Sequence, residues 1–277
     1  VTRKEATLQR LAEVGYVAKK SLGQNFLIGE HVIAEIVKEV VRDQPDLLVE
    51  IGPGLGALTD PLSHYKIKKI LIELDKRFAE YWRKKSEEVI EADALRLGWQ
   101  DDLPQKINQF LPTAKLDKVT VVSNLPYQIS SRLVIELSTA APWLNRMVLM
   151  FQKEVAERIA ASPSSDDYGF LSVVAQTHWL TSRIVDADPE DFYPKPNVYS
   201  RVLAFRRRQV DPLFNEHFTA FVKKAFSQRR KYMVKAFAEE KQKLVQGLAQ
   251  LGHSEKARAE ELSPEQFREI YRYTVGK

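Results

Sequence analysis

The segment Asn124-Leu125-Pro126-Tyr127 puts an amide side chain, a backbone carbonyl, a rigid residue and an aromatic ring within four positions. That combination suits one chemistry, the modification of an exocyclic amino nitrogen on a planar base. The nitrogen lone pair is delocalised into the ring, so the nitrogen is a poor nucleophile. Acceptors that hold its hydrogens favour the pyramidal form that attacks, and the Asn124 side-chain oxygen and the Leu125 carbonyl are such acceptors. Pro126 fixes its own φ and stiffens the loop. Tyr127 offers a face for a base turned out of its stack. A methyl carried on a sulfonium fits this arrangement: the charge is lost as the methyl moves, no strong general base is needed, and positioning accounts for much of the acceleration. Phe192, on the rigid segment Phe192-Tyr193-Pro194-Lys195-Pro196, is expected to sandwich the base against Tyr127. The plainer alternatives are a helix-initiating turn at Asn124 and a hydrophobic plug at Phe192.

A second constellation lies upstream. Glu50-Ile51-Gly52-Pro53-Gly54-Leu55-Gly56 falls between a predicted strand and a predicted helix, where glycines let the backbone turn tightly and approach a ligand. Glu73 closes the next strand with Asp75 after it, and a carboxylate there can accept hydrogen bonds from ribose hydroxyls. These features alone do not choose the cofactor. Gly52, Gly54 and Ala57 also satisfy the dinucleotide fingerprint, so NAD remains open at this point. Asp93, ending Glu91-Ala92-Asp93-Ala94, shifts the balance towards S-adenosylmethionine (SAM), because a third-strand acid can meet an adenine amino group. Taken singly it serves equally as a loop cap. The chain shows no obvious His or Tyr/Lys arrangement for hydride chemistry.

The elements that must position these residues follow from periodicity. Val32, Ile33, Ile36, Val37, Val40 and Val41 have helical spacing, and Asp43-Gln44-Pro45-Asp46 ends that helix. Strands are expected at Leu47–Ile51, Lys69–Glu73, Glu88–Glu91, Val119–Ser123 and Met147–Phe151, with later ones at Ser182–Asp186 and Tyr199–Phe205. A helix is expected near Ala57, another through Phe78 and Tyr81, and a third over 169–180. Alternating strands and helices imply right-handed βαβ units in a mainly parallel sheet with helices on both faces. Beyond Arg208 only helical periodicity remains. The expected division is therefore an α/β domain over 1–208 and a small all-α domain over 209–277.

Composition sets outer bounds. The 277 residues contain no cysteine, which excludes disulfides, thiolate metal sites and cysteine nucleophiles. No metal site is expected. No apolar run is long enough for a membrane span, and the polar start lacks the apolar core of a signal peptide. A cytoplasmic, monomeric protein is the expectation. The net charge is +5, with runs at Arg206-Arg207-Arg208 and Arg229-Arg230-Lys231 and with Lys223, Lys224 and Lys235 nearby. A polyanionic partner and a merely solvated face both remain open on charge alone.

Together these motifs resemble the KsgA-type ribosomal RNA adenine N6,N6-dimethyltransferase family, over nearly the whole chain. The resemblance runs through Ser21-Leu22-Gly23-Gln24-Asn25-Phe26-Leu27, the glycine loop, Glu73-Leu74-Asp75, Asp93-Ala94, Asn124–Tyr127, Tyr168-Gly169, Phe192–Pro196 and Phe226-Ser227-Gln228-Arg229-Arg230-Lys231. It implies a Rossmann-like SAM-dependent methyltransferase sheet of seven strands plus a helical RNA-docking domain. It implies a SAM pocket drawn from Gln24, Asn25, Phe26, Leu27, Glu50, Gly52, Gly54, Gly56, Glu73, Leu74, Asp93, Ala94 and Asn124. It implies RNA contacts at Lys223, Arg229, Arg230 and Lys231, and a pre-ribosomal small subunit as partner. The implied reaction is dimethylation of two adjacent adenosines near the 3′ end of small-subunit ribosomal RNA. The related Erm type, acting on large-subunit RNA, shares several motifs. Leu125 and the Gln228–Lys231 run favour the KsgA type. Asn197 and Tyr199 stand where such sequences often carry Lys and Asp.

Overall fold

A computed structural model describes residues 2–16, 25–228 and 231–275. In chain order the elements are α1 (Arg3–Glu13), β1 (Phe26–Leu27), α2 (Glu30–Val41), β2 (Leu47–Ile51), α3 (Thr59–Leu62), β3 (Lys68–Glu73), α4 (Lys76–Lys84), β4 (Val89–Glu91), α5 (Asp102–Phe110), β5 (Val119–Asn124), α6 (Ser130–Thr139), β6 (Arg146–Gln152), α7 (Lys153–Ala160), α8 (Phe170–His178), β7 (Trp179–Ala187), β8 (Phe192–Tyr193), β9 (Ser200–Arg207), α9 (Glu216–Ala225), α10 (Lys241–Gln250) and α11 (Pro264–Val275). Among the described residues no helix is long and apolar enough to cross a membrane.

The chain divides into two compact units, Val1–Ala156 with Thr181–Arg207 and Glu157–Leu180 with Arg208–Lys277. The first is built on a seven-stranded sheet of order β4-β3-β2-β5-β6-β9-β7. Strands β4, β3, β2, β5 and β6 pair in parallel, and β9 joins β6 antiparallel. The central strands are buried along their length, as β-branched runs covered on both faces must be. Helix α2 lays Val32, Ile33, Ile36, Val37 and Val40 onto one face, where they pack with Leu48, Val122 and Val148. The helix expected at Ala57 is reduced to the short α3.

A two-stranded ribbon, β1 with β8, lies outside the main sheet and pairs Phe26 with Tyr193 and Leu27 with Phe192. Neither segment has the length to show a strand period in sequence.

The second unit is helical. Tyr168 is fully buried and donates to the Leu262 carbonyl at 2.7 Å. Phe226 stacks on Phe267 at 5.7 Å, and Phe214, Phe218 and Phe221 surround Tyr271. The expected boundary at Arg208 coincides with one crossing between units. The expected extent of the first domain requires correction, because 157–180 belongs to the second unit. Helix α8 buries Leu171, Ser172, Val173, Val174, Ala175, Thr177 and His178, so it needs neighbours on nearly every side, and α9 and α11 provide them.

Candidate active site

Strand β2 pairs with β3 on one side and β5 on the other, with Glu50 level with Val122. The loops leaving β2 and β5 therefore open side by side at the carboxyl edge of a parallel sheet, at the point where the strand order reverses. Open α/β sheets bind ligands at this position. A cleft with about 910 Å³ of empty space, including its mouth, lies here. It is lined by Asn25, Phe26 and Leu27 of the ribbon, by Gly52, Pro53 and Gly54, and by the whole of Asn124–Tyr127. Glu50, Glu73 and Phe78 add to its wall, as do Arg3 and Thr7 from α1.

The Asn124 amide is held in one orientation. Its Nδ2 donates to the Asn25 carbonyl at 3.2 Å. A carbonyl can only accept, so the nitrogen must face Asn25 and Oδ1 is left as an acceptor. The loop beyond is closed by Ile129 N–H donating to the Pro126 carbonyl at 3.1 Å and by Ser130 Oγ donating to the Tyr127 carbonyl at 2.9 Å. The Tyr127 hydroxyl lies 2.7 Å from the hydroxyl of Ser200, a fully buried residue at the start of β9. Burial pushes the Tyr127 phenol above its ordinary pKa, so it stays protonated.

The charge and hydrogen bonding of the cleft distinguish between ligand classes. The amides of Gly52, Gly54 and Gly56 all donate to protein acceptors: the Ile72 carbonyl at 2.8 Å, Glu73 Oε2 at 3.2 Å and the Pro53 carbonyl at 2.8 Å. Glu73 also accepts from Asp75 N–H at 2.8 Å, yet burial still raises its pKa. Glu50 is 2% exposed, and desolvation raises its carboxyl from 4.5 to about 8. Among the described residues neither Glu50 Oε2 nor Thr59 Oγ1 has a hydrogen-bond partner. A dinucleotide pyrophosphate needs free loop amides, and here it finds these three committed and two acidic side chains beside them. A ligand bearing an ammonium and a sulfonium gives Glu50 Oε2 the partner it lacks among the described residues. The residues fit SAM and do not fit NAD. Among the described residues no cluster of three or more His, Asp or Glu forms a metal site.

Several expected site residues lie elsewhere. Phe192 is 3% exposed, packs in the core with Leu27, Ile33 and Val202, and is absent from the cleft lining. Its cross-strand partner Leu27 does line the cleft, so Phe192 sits beside the cleft and not in its lining. Gly56 lies outside the cleft lining. A Cβ there, at φ +86°, would meet the Trp82 ring at 2.6 Å, so its small size serves packing. Asp93 caps its own turn, accepting from Leu95 N–H at 2.9 Å and facing Arg96 at 3.6 Å. Ala94 is buried with its carbonyl bound to Trp99, and Leu74 is 69% exposed. None of these three lines the cleft. Gln24, Arg229 and Arg230 fall outside the described residues, and Lys223 and Lys231 are exposed on the second unit. The cleft residues Arg3, Thr7 and Phe78 and the buried Ser200 carried no motif of their own, because contact between distant segments brought them in.

The comparisons with known proteins can be set against this geometry. The family model described as ribosomal RNA adenine dimethylase matches residues 15–275. A Ribosomal RNA small subunit methyltransferase A from Bdellovibrio bacteriovorus is 49% identical over 96% of this chain and 96% of its own length. The protein of that name from Geobacter metallireducens is 34% identical over 93% of this chain and 96% of its own. Among solved structures, a dimethyladenosine transferase from Plasmodium falciparum aligns with a TM-score of 0.71 at 21% identity, covering 88% of this chain and 95% of that one. The 23S rRNA methyltransferase ErmE aligns with a TM-score of 0.64 at 23% identity, covering 91% of this chain and 100% of that one. At those identities the structures speak for the fold alone.

Proposed function

The chain belongs to the ribosomal RNA adenine dimethylase family and is a SAM-dependent methyltransferase of ribosomal RNA adenines, and from that premise we propose that it methylates N6 of two adjacent adenosines near the 3′ end of small-subunit ribosomal RNA. The observation that carries the proposal is the Asn124 amide, turned by Asn25 so that Oδ1 is left to accept. Oδ1 and the Leu125 carbonyl hold the amino hydrogens of the target, and Tyr127 supports the base. When bound, SAM supplies an electrophilic methyl group on a sulfonium. Glu50 receives the ammonium of its amino-acid part, and Glu73 faces its ribose hydroxyls. No side chain need act as a strong base, since the positive charge lost from sulfur appears on nitrogen and leaves as a proton to water. Lys223, Arg229, Arg230 and Lys231 are assigned to RNA phosphates, so RNA affinity should fall as salt rises.

The partner on this proposal is a pre-ribosomal small subunit, met in the cytoplasm by a monomer. The test is to incubate the protein with undermethylated small subunits, with large-subunit RNA and with labelled SAM, then map the modified nucleotides. Dimethyl marks on two adjacent adenosines of the small subunit are expected. Marks confined to large-subunit RNA would overturn the substrate, and undiminished transfer by Asn124→Ala would overturn the role of that residue.

A further inference from the structure

The amino-acid part of SAM carries an anionic carboxylate as well as an ammonium. The glycine loop has little to give it, because the amides of Gly52, Gly54 and Gly56 are already committed to protein acceptors. The two acidic side chains of the cleft, Glu50 and Glu73, offer it no positive charge. Among the described residues lining the cleft, Arg3 is the one cation.

Arg3 sits on a helix that is fixed to this wall. Arg10 Nη1 donates to the Leu55 carbonyl at 2.7 Å and pairs with Asp60, which ties α1 to the glycine loop. Leu11 and Tyr16 pack with Leu55 and Phe78, with the Tyr16 and Phe78 rings 4.9 Å apart. Arg77 lies over the Tyr16 ring at 4.2 Å. Arg3 and Thr7 are four residues apart on one helix face, and both reach the cleft. Thr7 is 8% exposed and spends its hydroxyl on the Arg3 carbonyl at 2.8 Å. That leaves the guanidinium as the group this face offers to a ligand, and no ion pair within the described residues involves it.

We propose that Arg3 binds the α-carboxylate of SAM, so that α1 forms the anion-recognising wall of the cofactor site. The guanidinium supplies two parallel N–H donors in the geometry a carboxylate accepts. With Glu50 on the ammonium, the cleft then reads both charges of the amino-acid part. This rests on the cleft being a SAM site.

The test uses calorimetry of the full chain with three ligands. S-adenosylhomocysteine carries the carboxylate, its decarboxylated analogue lacks only that group, and 5′-methylthioadenosine lacks the whole amino-acid part. Arg3→Ala should weaken S-adenosylhomocysteine by about tenfold to hundredfold and leave the other two unchanged. Arg3→Lys, which keeps the charge but loses the fork, should recover part of that loss. Equal weakening of all three ligands would mean that α1 had merely come loose, and the proposal would fail. It would also fail if S-adenosylhomocysteine binding were untouched while only the KM for RNA rose, which would assign Arg3 to a phosphate of the substrate. Failure of the unaltered protein to bind S-adenosylhomocysteine at all would instead sink the cofactor assignment, and this proposal with it.

Discussion

Binding of SAM or its product should release a proton at neutral pH, because Glu50 is held neutral in the free protein. Its carboxyl is raised to about 8 by burial, and Oε2 has no partner among the described residues. At pH 7 about nine-tenths of the molecules therefore carry the proton. An ammonium brought against Glu50 favours the carboxylate and pulls its pKa down, so about 0.9 protons should leave per ligand bound. The protonated state weakens binding by about elevenfold at pH 7, which is about 1.4 kcal/mol. Affinity for S-adenosylhomocysteine should then rise nearly tenfold between about pH 6 and pH 7 and flatten above about pH 8. The same group lowers the stability of the free protein. A carboxyl whose folded pKa is raised holds a proton that the unfolded chain gives up, so stability falls as pH climbs from 4.5 to about 8. The full penalty above that window is on the order of 5 kcal/mol. Glu50→Gln removes the ionisation while keeping the shape. It should melt higher than the unaltered protein at alkaline pH, bind S-adenosylhomocysteine more weakly and lose the pH slope. Calorimetry in two buffers of different ionisation enthalpy measures the proton directly. Zero release at pH 7, or an unchanged slope in Glu50→Gln, would refute the placing of the ammonium at Glu50.

Three further pairs of variants test how the site and its surroundings are packed. Gly56→Ala drives a Cβ to 2.6 Å from the Trp82 ring, which cannot swing away because its Nε1 donates to the Gly54 carbonyl at 2.9 Å; thermal melting should show a loss of about 2–4 kcal/mol. Gly52→Ala has open space around its Cβ and only the strain of φ +65°, so it should cost about 1 kcal/mol while binding S-adenosylhomocysteine far more weakly. The reverse order of the two stabilities would contradict the packing account. Tyr127→Phe breaks the contact with buried Ser200 and should cost about 1 kcal/mol, lowering methyl transfer with cofactor affinity unchanged. Ser200→Ala should match it and the double variant should add little, whereas fully additive losses would show that the two hydroxyls act apart. Arg207 donates to the carbonyls of Ser138, Ala141 and Leu144, where α6 ends, and burial lowers its pKa to about 10. Denaturant titration of Arg207→Ala should show a loss of about 3 kcal/mol, against under about 1 kcal/mol for Arg206→Ala, whose side chain is 61% exposed.

Much of the sheet was legible because its strands carry strong local signals. Leu47–Ile51 and Val119–Asn124 are buried runs stopped abruptly by Gly52 and by Leu125-Pro126, so the sequence marks both their type and the edge where they end. Parallel pairing then follows from the helices between them. The β1–β8 ribbon left no such trace, since two-residue strands have no period. The place of α8 was equally hidden. An apolar helix announces that it will be buried without saying by what, and here its neighbours are helices that come some 40 or more residues later.

The candidate site divides along the same line. Residues that follow directly from a strand end, such as Gly52, Glu73 and Asn124, reach the cleft because the strand delivers them there. Residues whose role needs a partner from another segment are placed by contacts that the sequence does not show. Phe192 has the right chemistry for stacking, but its pairing with Leu27, a long-range fact, sets it beside the cleft and not in its lining. Asp93 has the right position just past β4, where its carboxylate caps its own turn and faces Arg96 without lining the cleft. The choice of cofactor shows the other side of this. The glycine spacing is compatible with a pyrophosphate and with SAM, and no count of glycines separates them. The separation comes from where the loop amides and acids are directed. With the amides of Gly52, Gly54 and Gly56 donating inward and Glu50 Oε2 buried without a partner among the described residues, the loop offers a cationic ligand an acceptor and a polyphosphate none of these three glycine amides. A hydrogen-bond account of the folded loop therefore decides what its sequence left open.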